Sequence, residues 1–207
     1  MRILLFLVLA MLQLPLFAQS ADEANVVLDK ALAALKADAP VCMDYTYRVV
    51  DEDGELLQDD KGVIYVDGGR YALLMQDMKV WCDGKVQWSY MREVDEVYVT
   101  DAASDEAQSL SPVFIMEHYR AGRAVSLVYK GDVAVVELRS LTDVAAEVVK
   151  LNIRKGDNRL VAMSIDMPGQ GGVEVLLDGY TAKCGADSDV FVCPLDEFST
   201  AEVIDMR

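Results

Sequence analysis

Basic residues are scarce in this 207-residue chain: 19 Lys and Arg stand against 35 Asp and Glu, a net charge of −16 at pH 7. That deficit argues against nucleic acid as a partner, since affinity for a phosphate backbone comes largely from counterions released by Lys and Arg. It also leaves no basic cluster for an anionic membrane surface. Histidine occurs once, at His118. There is no Gly-x-Ser-x-Gly elbow to position a serine nucleophile, and no glycine-rich loop of the phosphate-binding or dinucleotide-binding kinds. Close-spaced cysteines are missing too, so the ligand spacing of a zinc site is absent, and neither metal nor cofactor is expected. With 53% hydrophobic and 26% charged residues, the composition is not that of a disordered chain.

What is present begins with a leader. Met1-Arg2 is a short basic start, and Ile3 to Phe17 is an apolar run broken only by Gln13 and Pro15. About fifteen apolar residues are fewer than the roughly twenty that span a bilayer, so residues 1–18 read as a secretory signal, with cleavage at 18 or at 20. The remainder, 19–207, is expected to be one exported domain, because no linker or charge block divides it. The first cysteine is Cys42, so no cysteine stands at the mature start to take a lipid anchor.

Four cysteines, at 42, 82, 184 and 193, permit three disulfide pairings in an oxidising compartment. The expectation from spacing is Cys184 with Cys193, closing a short loop of small and acidic residues, and Cys42 with Cys82 by default.

Residues 22–38 carry one amphipathic helix. Ala24, Val27, Leu28, Ala31, Leu32 and Leu35 recur at helical spacing, and Ser20 with Glu23 forms a capping box ahead of them. After Pro40 the period falls to two: Val41, Met43, Tyr45 and Tyr47 alternate with Cys42, Asp44, Thr46 and Arg48. Strand-like runs then follow at about 61–67, 70–76, 78–82, 85–90, 94–100, 124–130, 133–140, 146–154, 159–167 and 172–181. Connections as short as Gly68-Gly69 and Asp83-Gly84 make neighbours antiparallel. A second helix is expected from Ser111-Pro112 to about Tyr119. The fold class is therefore mainly β: a single curved antiparallel sheet, an unclosed barrel, with the two helices over its mouth.

Alternation predicts one apolar face, made of Tyr71, Leu73 and Met75; Val86, Trp88 and Tyr90; Val149, Leu151 and Ile153; and Val161, Met163, Ile165 and Met167. The opposite positions, including Lys85, Gln87, Ser89, Lys150, Asn152 and Arg154, are expected in water. Acidic groups such as Asp51/Glu52/Asp53, Asp59/Asp60 and Glu93/Asp95/Glu96 fall in turns and flanks, where solvation is the default. Two carboxylates set across a cleft, as glycoside hydrolysis needs, are not visible. No enzyme is expected.

Several stretches occur in the order of a known family: Gly62-Val63-Ile64-Tyr65-Val66, Arg70-Tyr71, Asp83-Gly84-Lys85-Val86-Gln87-Trp88-Ser89-Tyr90, Glu96-Val97 and Ser111-Pro112. They resemble the LolA family of periplasmic outer-membrane lipoprotein carriers, and Val203 to Arg207 resembles the terminus of its Bacteroidetes-type branch. The resemblance implies an incomplete barrel under a helical lid, enclosing a cavity for lipoprotein acyl chains in transit across the periplasm. It implies partners as well: acylated lipoproteins, an inner-membrane release complex and an outer-membrane acceptor, with the carrier a monomer. On this reading the apolar face lines the cavity through Tyr71, Leu73, Met75, Val86, Trp88, Tyr90, Val149, Leu151, Ile153, Met163 and Ile165. Val27, Leu28, Leu32, Leu35, Phe114 and Ile115 form the lid. The family's lid-tethering Arg-Pro is replaced by Asp67-Gly68-Gly69, which leaves Arg70 as the candidate latch. The anchored acceptor needs a cysteine at its mature start, where Gln19 or Ala21 stands, so the soluble carrier is favoured. An exported binding or sensor protein for other lipids or hydrophobic small molecules is the alternative, with an acidic-residue hydrolase ranked below it.

Overall fold

Four small or aliphatic residues at helical spacing, Ala24, Leu28, Ala31 and Leu35, are all buried and make the inner stripe of α1 (Leu14–Asp38). The computed structural model describes residues 14–104, 107, 112–118, 122–143 and 146–207; residues 1–13 of the expected leader and the expected Ser111 cap lie outside them. α1 runs through Ser20 rather than starting there. Leu14 to Gln19 are mostly good helix formers and Pro15 sits in the first turn, where its missing N–H costs nothing, so the helix begins ahead of the expected cap.

The strands follow the period-two pattern: β1 (Val41–Val50), β2 (Leu56–Asp67), β3 (Arg70–Leu74), β4 (Met78–Cys82), β5 (Val86–Met91) and β6 (Glu96–Asp101), then α2 (Pro112–His118). After it come β7 (Arg123–Lys130), β8 (Val133–Ser140), β9 (Val148–Arg154), β10 (Leu160–Met167), β11 (Gly171–Ala182) and β12 (Glu202–Asp205). They form one twelve-stranded sheet in the order β12-β6-β5-β4-β3-β2-β1-β11-β10-β9-β8-β7. Every pair is antiparallel except β12 with β6, which is parallel. The sheet is not closed: β12 and β7 are its edges. The long-range β1–β11 pairing joins the two runs of hairpins and puts β1 near the middle. α1 packs along β7 and β8 and touches α2.

The disulfide joins Cys42 to Cys184, with Cα atoms 5.9 Å apart, which corrects both expected pairings. Cys42 lies opposite Thr181 in the β1–β11 ladder, and the Cys184 N–H donates to the Pro40 carbonyl at 3.0 Å, so the end of β11 is delivered to Cys42. Cys82 cannot reach Cys42, since β2 and β3 stand between β1 and β4, and three strand spacings are about 14 Å against the roughly 7 Å limit for a bridge. Cys82 and Cys193 are free and buried.

A second correction concerns the faces of the sheet. Leu73 pairs with Ile64 and Val80, and Val80 with Ser89, whereas Ala72 pairs with Trp81 and Trp81 with Trp88. Side chains alternate across the pleat, so Val86, Trp88 and Tyr90 lie on the opposite face from Leu73. That face is covered by the segment after β11, through Cys193, Phe198 and Ala201. Phe198 meets Trp81 edge-on at 5.6 Å and Tyr90 at 4.4 Å between ring centroids. The β3–β6 half is thus apolar on both faces. Gln87, expected in water, is 4% exposed beside the Tyr71 hydroxyl and donates to Ser89 Oγ.

Candidate functional site

Between the sheet and its helices lies a cavity of about 290 Å³, near the lower end of the usual range for small-molecule sites. Its walls come from seven strands. β1 supplies Met43, Tyr45 and Tyr47, β2 Ile64, β3 Leu73 with Met75 just beyond it, and β4 Met78. Leu151 of β9, Leu160, Met163 and Ile165 of β10, and Val173, Val175, Leu177 and Tyr180 of β11 complete the strand walls. Ladder pairs carry one face across the sheet: Tyr45 with Leu177, Tyr47 with Val175, Val175 with Met163, and Met163 with Leu151. Ala31 and Leu35 of α1 and Ile115 and Met116 of α2 close it from above. No lining residue is charged.

Of the expected cavity residues, Leu73, Met75, Leu151, Met163 and Ile165 line this space. Val149 and Ile153 share the face but are sealed in the core beside it. Tyr71 packs with Val80 and Cys82, and its hydroxyl meets the Ala107 carbonyl at 2.7 Å. Val86, Trp88 and Tyr90 are on the far side of the sheet, as above. Of the lid residues, Leu35 and Ile115 reach the cavity, Leu28 is core, and Val27 and Leu32 pack at the core's margin; Phe114 is half-buried on α2. Reasoning from sequence missed Met43, Tyr45 and Tyr47. Their alternation was legible, but their central place depends on the β1–β11 pairing.

Arg70, the expected latch, makes its contacts elsewhere. It pairs with Asp67 across the β2–β3 turn, and its guanidinium lies 4.7 Å over the ring of Phe191, away from both helices. α1 is held instead at its C-terminal end. Asp38 accepts hydrogen bonds from Arg159 (3.2 Å) and from the Tyr180 hydroxyl (3.0 Å), and Arg159 stacks 3.9 Å above the Tyr180 ring. Burial first, then the Asp38 carboxylate, pushes the Tyr180 hydroxyl well above the ordinary phenol range. Lys36 pairs with Glu117, linking α1 to α2. At the other end of α1, the Tyr129 hydroxyl of β7 donates to Glu23 at 2.7 Å.

None of the acidic groups of the sequence lines the cavity. Asp51 Oδ1 accepts from the Asp53 and Glu55 N–H groups and shapes the β1–β2 turn, while Asp95 accepts from the Tyr90 hydroxyl at 3.1 Å on the opposite face. Among the described residues no cluster of His, Cys, Asp or Glu could hold a metal ion, and no helix is long and apolar enough to cross a membrane.

Residues 14–157 match the family model described as "Outer membrane lipoprotein carrier protein LolA". The chain belongs to the LolA family. The match takes in both helices and β1 to β9, so the β10 and β11 walls of this family member's cavity lie beyond it. No curated protein sequence matches the chain. Among solved structures, an uncharacterized conserved protein from Thermus thermophilus is similar at 12% identity and TM-score 0.56, over 88% of this chain and 99% of that one. MucB is similar at 12% identity and TM-score 0.50, over 88% of this chain and 66% of that one. A LolA superfamily protein from Nitrosomonas europaea matches at 8% identity and TM-score 0.45, over 83% and 98%. At these identities the likeness is one of fold, and the family itself points to lipid or lipoprotein binding rather than to catalysis.

Proposed function

We propose that the protein is an exported carrier that shelters lipoprotein acyl chains in the cavity beneath α1 and α2. It would receive its cargo from an inner-membrane release complex and pass it to an outer-membrane acceptor across the periplasm. In this reading residues 1–18 are a leader removed on export, and 19–207 form the carrier domain. The observation that carries it is the cavity's lining, which is apolar apart from tyrosine hydroxyls and bears no charge. Family membership supports it as well.

The physics of the task fits. Each buried methylene is worth about 0.8 kcal/mol, so a sixteen-carbon chain carries on the order of 12 kcal/mol of unfavourable exposure to water. Such a chain needs shelter, yet it must be surrendered at the acceptor, which calls for an apolar pocket with an openable cover and no covalent step. Leu73, Met75, Leu151, Met163 and Ile165 form the contact surface. Flexible Met side chains at 43, 75, 78, 116 and 163 let that surface repack around chains of different length.

The test is Ile165→Glu, which puts a carboxylate into the wall. Binding of a palmitoylated peptide, read by fluorescence anisotropy, should be lost while the β-sheet signal in far-ultraviolet circular dichroism is kept. Undiminished binding would remove this cavity from the function. Mass spectrometry of natively purified protein identifies the cargo, and a bound non-acyl molecule would favour a carrier or sensor of other hydrophobic compounds.

A further inference from the structure

A second cavity, of about 270 Å³, lies under α1 beside Val27 and Lys30, one turn ahead of the Ala31 and Leu35 that roof the first. Its floor is a row of ladder partners across three strands, Tyr129 of β7, Ala134 of β8 and Ile153 of β9. Val27 and Lys30 form one wall, and Lys155 and Asn158 of the β9–β10 turn form the other. That turn is held in place. Asp157 accepts from the Arg154 guanidinium at 2.8 Å and from the Arg159 N–H at 3.3 Å, and the Lys155 N–H donates to the Asp132 carbonyl at 2.8 Å. Unlike the first cavity, this one is lined by charge, and the charge is of one sign.

The chain carries 35 acidic residues against 19 basic ones, yet neither Lys30 nor Lys155 forms an ion pair among the described residues. The Lys155 ammonium lies 5.3 Å over the Tyr129 ring, at the floor of the cavity. Carboxylates on the same elements are engaged: Glu23 accepts from the Tyr129 hydroxyl, and Asp157 holds Arg154. We propose that this cavity binds a phosphate group, free or at the head of a lipid, between the Lys30 and Lys155 ammoniums, with the Asn158 amide as a further donor. An ammonium is a compact charge that suits phosphate, whereas a planar carboxylate is matched best by the fork of Arg, which this lining lacks. The apolar floor keeps water from one side and strengthens both attractions. In a chain of net charge −16 the cavity is a local reversal of the field, drawing an anion that the rest of the surface repels. The site stands on its own lining and does not depend on acyl chains filling the first cavity.

The experiment titrates native protein with inorganic phosphate and, separately, with dodecanoyl lysophosphatidic acid, and follows the amide NMR signals of Lys30, Tyr129, Lys155 and Asn158. Saturating shifts with phosphate alone mark a free anion as the ligand; saturation by the lipid only assigns the site to a lipid head group. Lys30→Gln and Lys155→Gln should each weaken binding about fivefold, the worth of one exposed ion pair at its upper end. Lys30→Arg and Lys155→Arg, which keep the charge, should retain most of it. Both lysines are exposed, so these variants keep the fold. Lys61→Gln removes an exposed lysine of β2 that has no ion pair among the described residues, and it should change nothing. Ile165→Glu should leave the phosphate shifts intact, so failure of the acyl cavity and failure of this site are read apart. The inference is overturned if neither ligand moves these amides, if acetate moves them as well as phosphate does, or if Lys61→Gln costs as much as the other two.

Discussion

Leu73 and Ala72 are neighbours in β3, and they face two apolar regions that are finished differently. On Leu73's side the covering elements are α1 and α2, which present Ala31, Leu35, Ile115 and Met116 and leave a cavity of about 290 Å³. On Ala72's side the cover is the segment after β11, and Phe198 fills the space between Trp81 and Tyr90. Both faces carry aromatic and aliphatic side chains at strand spacing. What separates a cavity wall from a filled core is therefore the shape and size of what lies on it. Two helices span one face and leave a gap beneath them, while a short irregular segment follows the other face and packs against it.

That contrast can be broken by substitution. The largest effect is expected at Trp81→Ala, which empties the filled face: about 3 to 5 kcal/mol of stability should be lost in urea unfolding, with acyl affinity of the folded fraction unchanged. If binding fell and stability did not, the roles of the two faces would be reversed. Replacing both Cys42 and Cys184 by Ser should cost about 2 to 4 kcal/mol through the freed unfolded chain. A non-reducing peptide map should show the 42–184 link and unmodified thiols at 82 and 193.

Filling the cavity should behave differently from emptying the core. Met163→Trp occupies space that is already there, so its cost should stay below about 1.5 kcal/mol while acyl binding is lost; a larger destabilisation would mean that the cavity has no room. A smaller, pH-dependent effect belongs to the filled face. Burial pushes the Cys193 thiol up from 9.0 to about 11. The unfolded chain then ionises first, so this contribution to stability is present below pH 9 and is lost as pH rises toward 11. Cys193→Ala should flatten that part of the stability profile, and native Cys193 should react with iodoacetamide at pH 8 only after unfolding. The smallest effect is expected at Lys36→Ala. Both partners of the Lys36–Glu117 pair are substantially exposed, so stability should change by less than about 1 kcal/mol. Ligand release, read by stopped-flow, is where loosening α2 from α1 should register.

Much of the architecture was legible because it is local. The strand runs, their turns at Gly68-Gly69 and Asp83-Gly84, the stripe of Ala24, Leu28, Ala31 and Leu35, and α2 from Pro112 follow from periodicity and turn chemistry within a few residues. The cavity was legible where its strands follow one another closely, as with Leu151, Met163 and Ile165 in β9 and β10. It failed at Trp88 and Tyr90, because a strand apolar on one side gives no sign of which side of the sheet that will be. It failed at Arg70 for a related reason: the residue's partners, Asp67 and Phe191, include one that only folding brings near.

From residue order alone came the mainly β class, the amphipathic cover, the acidic surface and the family. These depend on spacing along the chain and on totals, which need no three-dimensional partner. Folding in space decided the rest: that Cys42 meets Cys184, that Tyr45 stands in the cavity wall, and that residues 193–201 pack one apolar face while two helices only roof the other. Each of these joins segments far apart in sequence. Alternation along a strand says which residues share a side, while the distant segment that covers that side decides what it does.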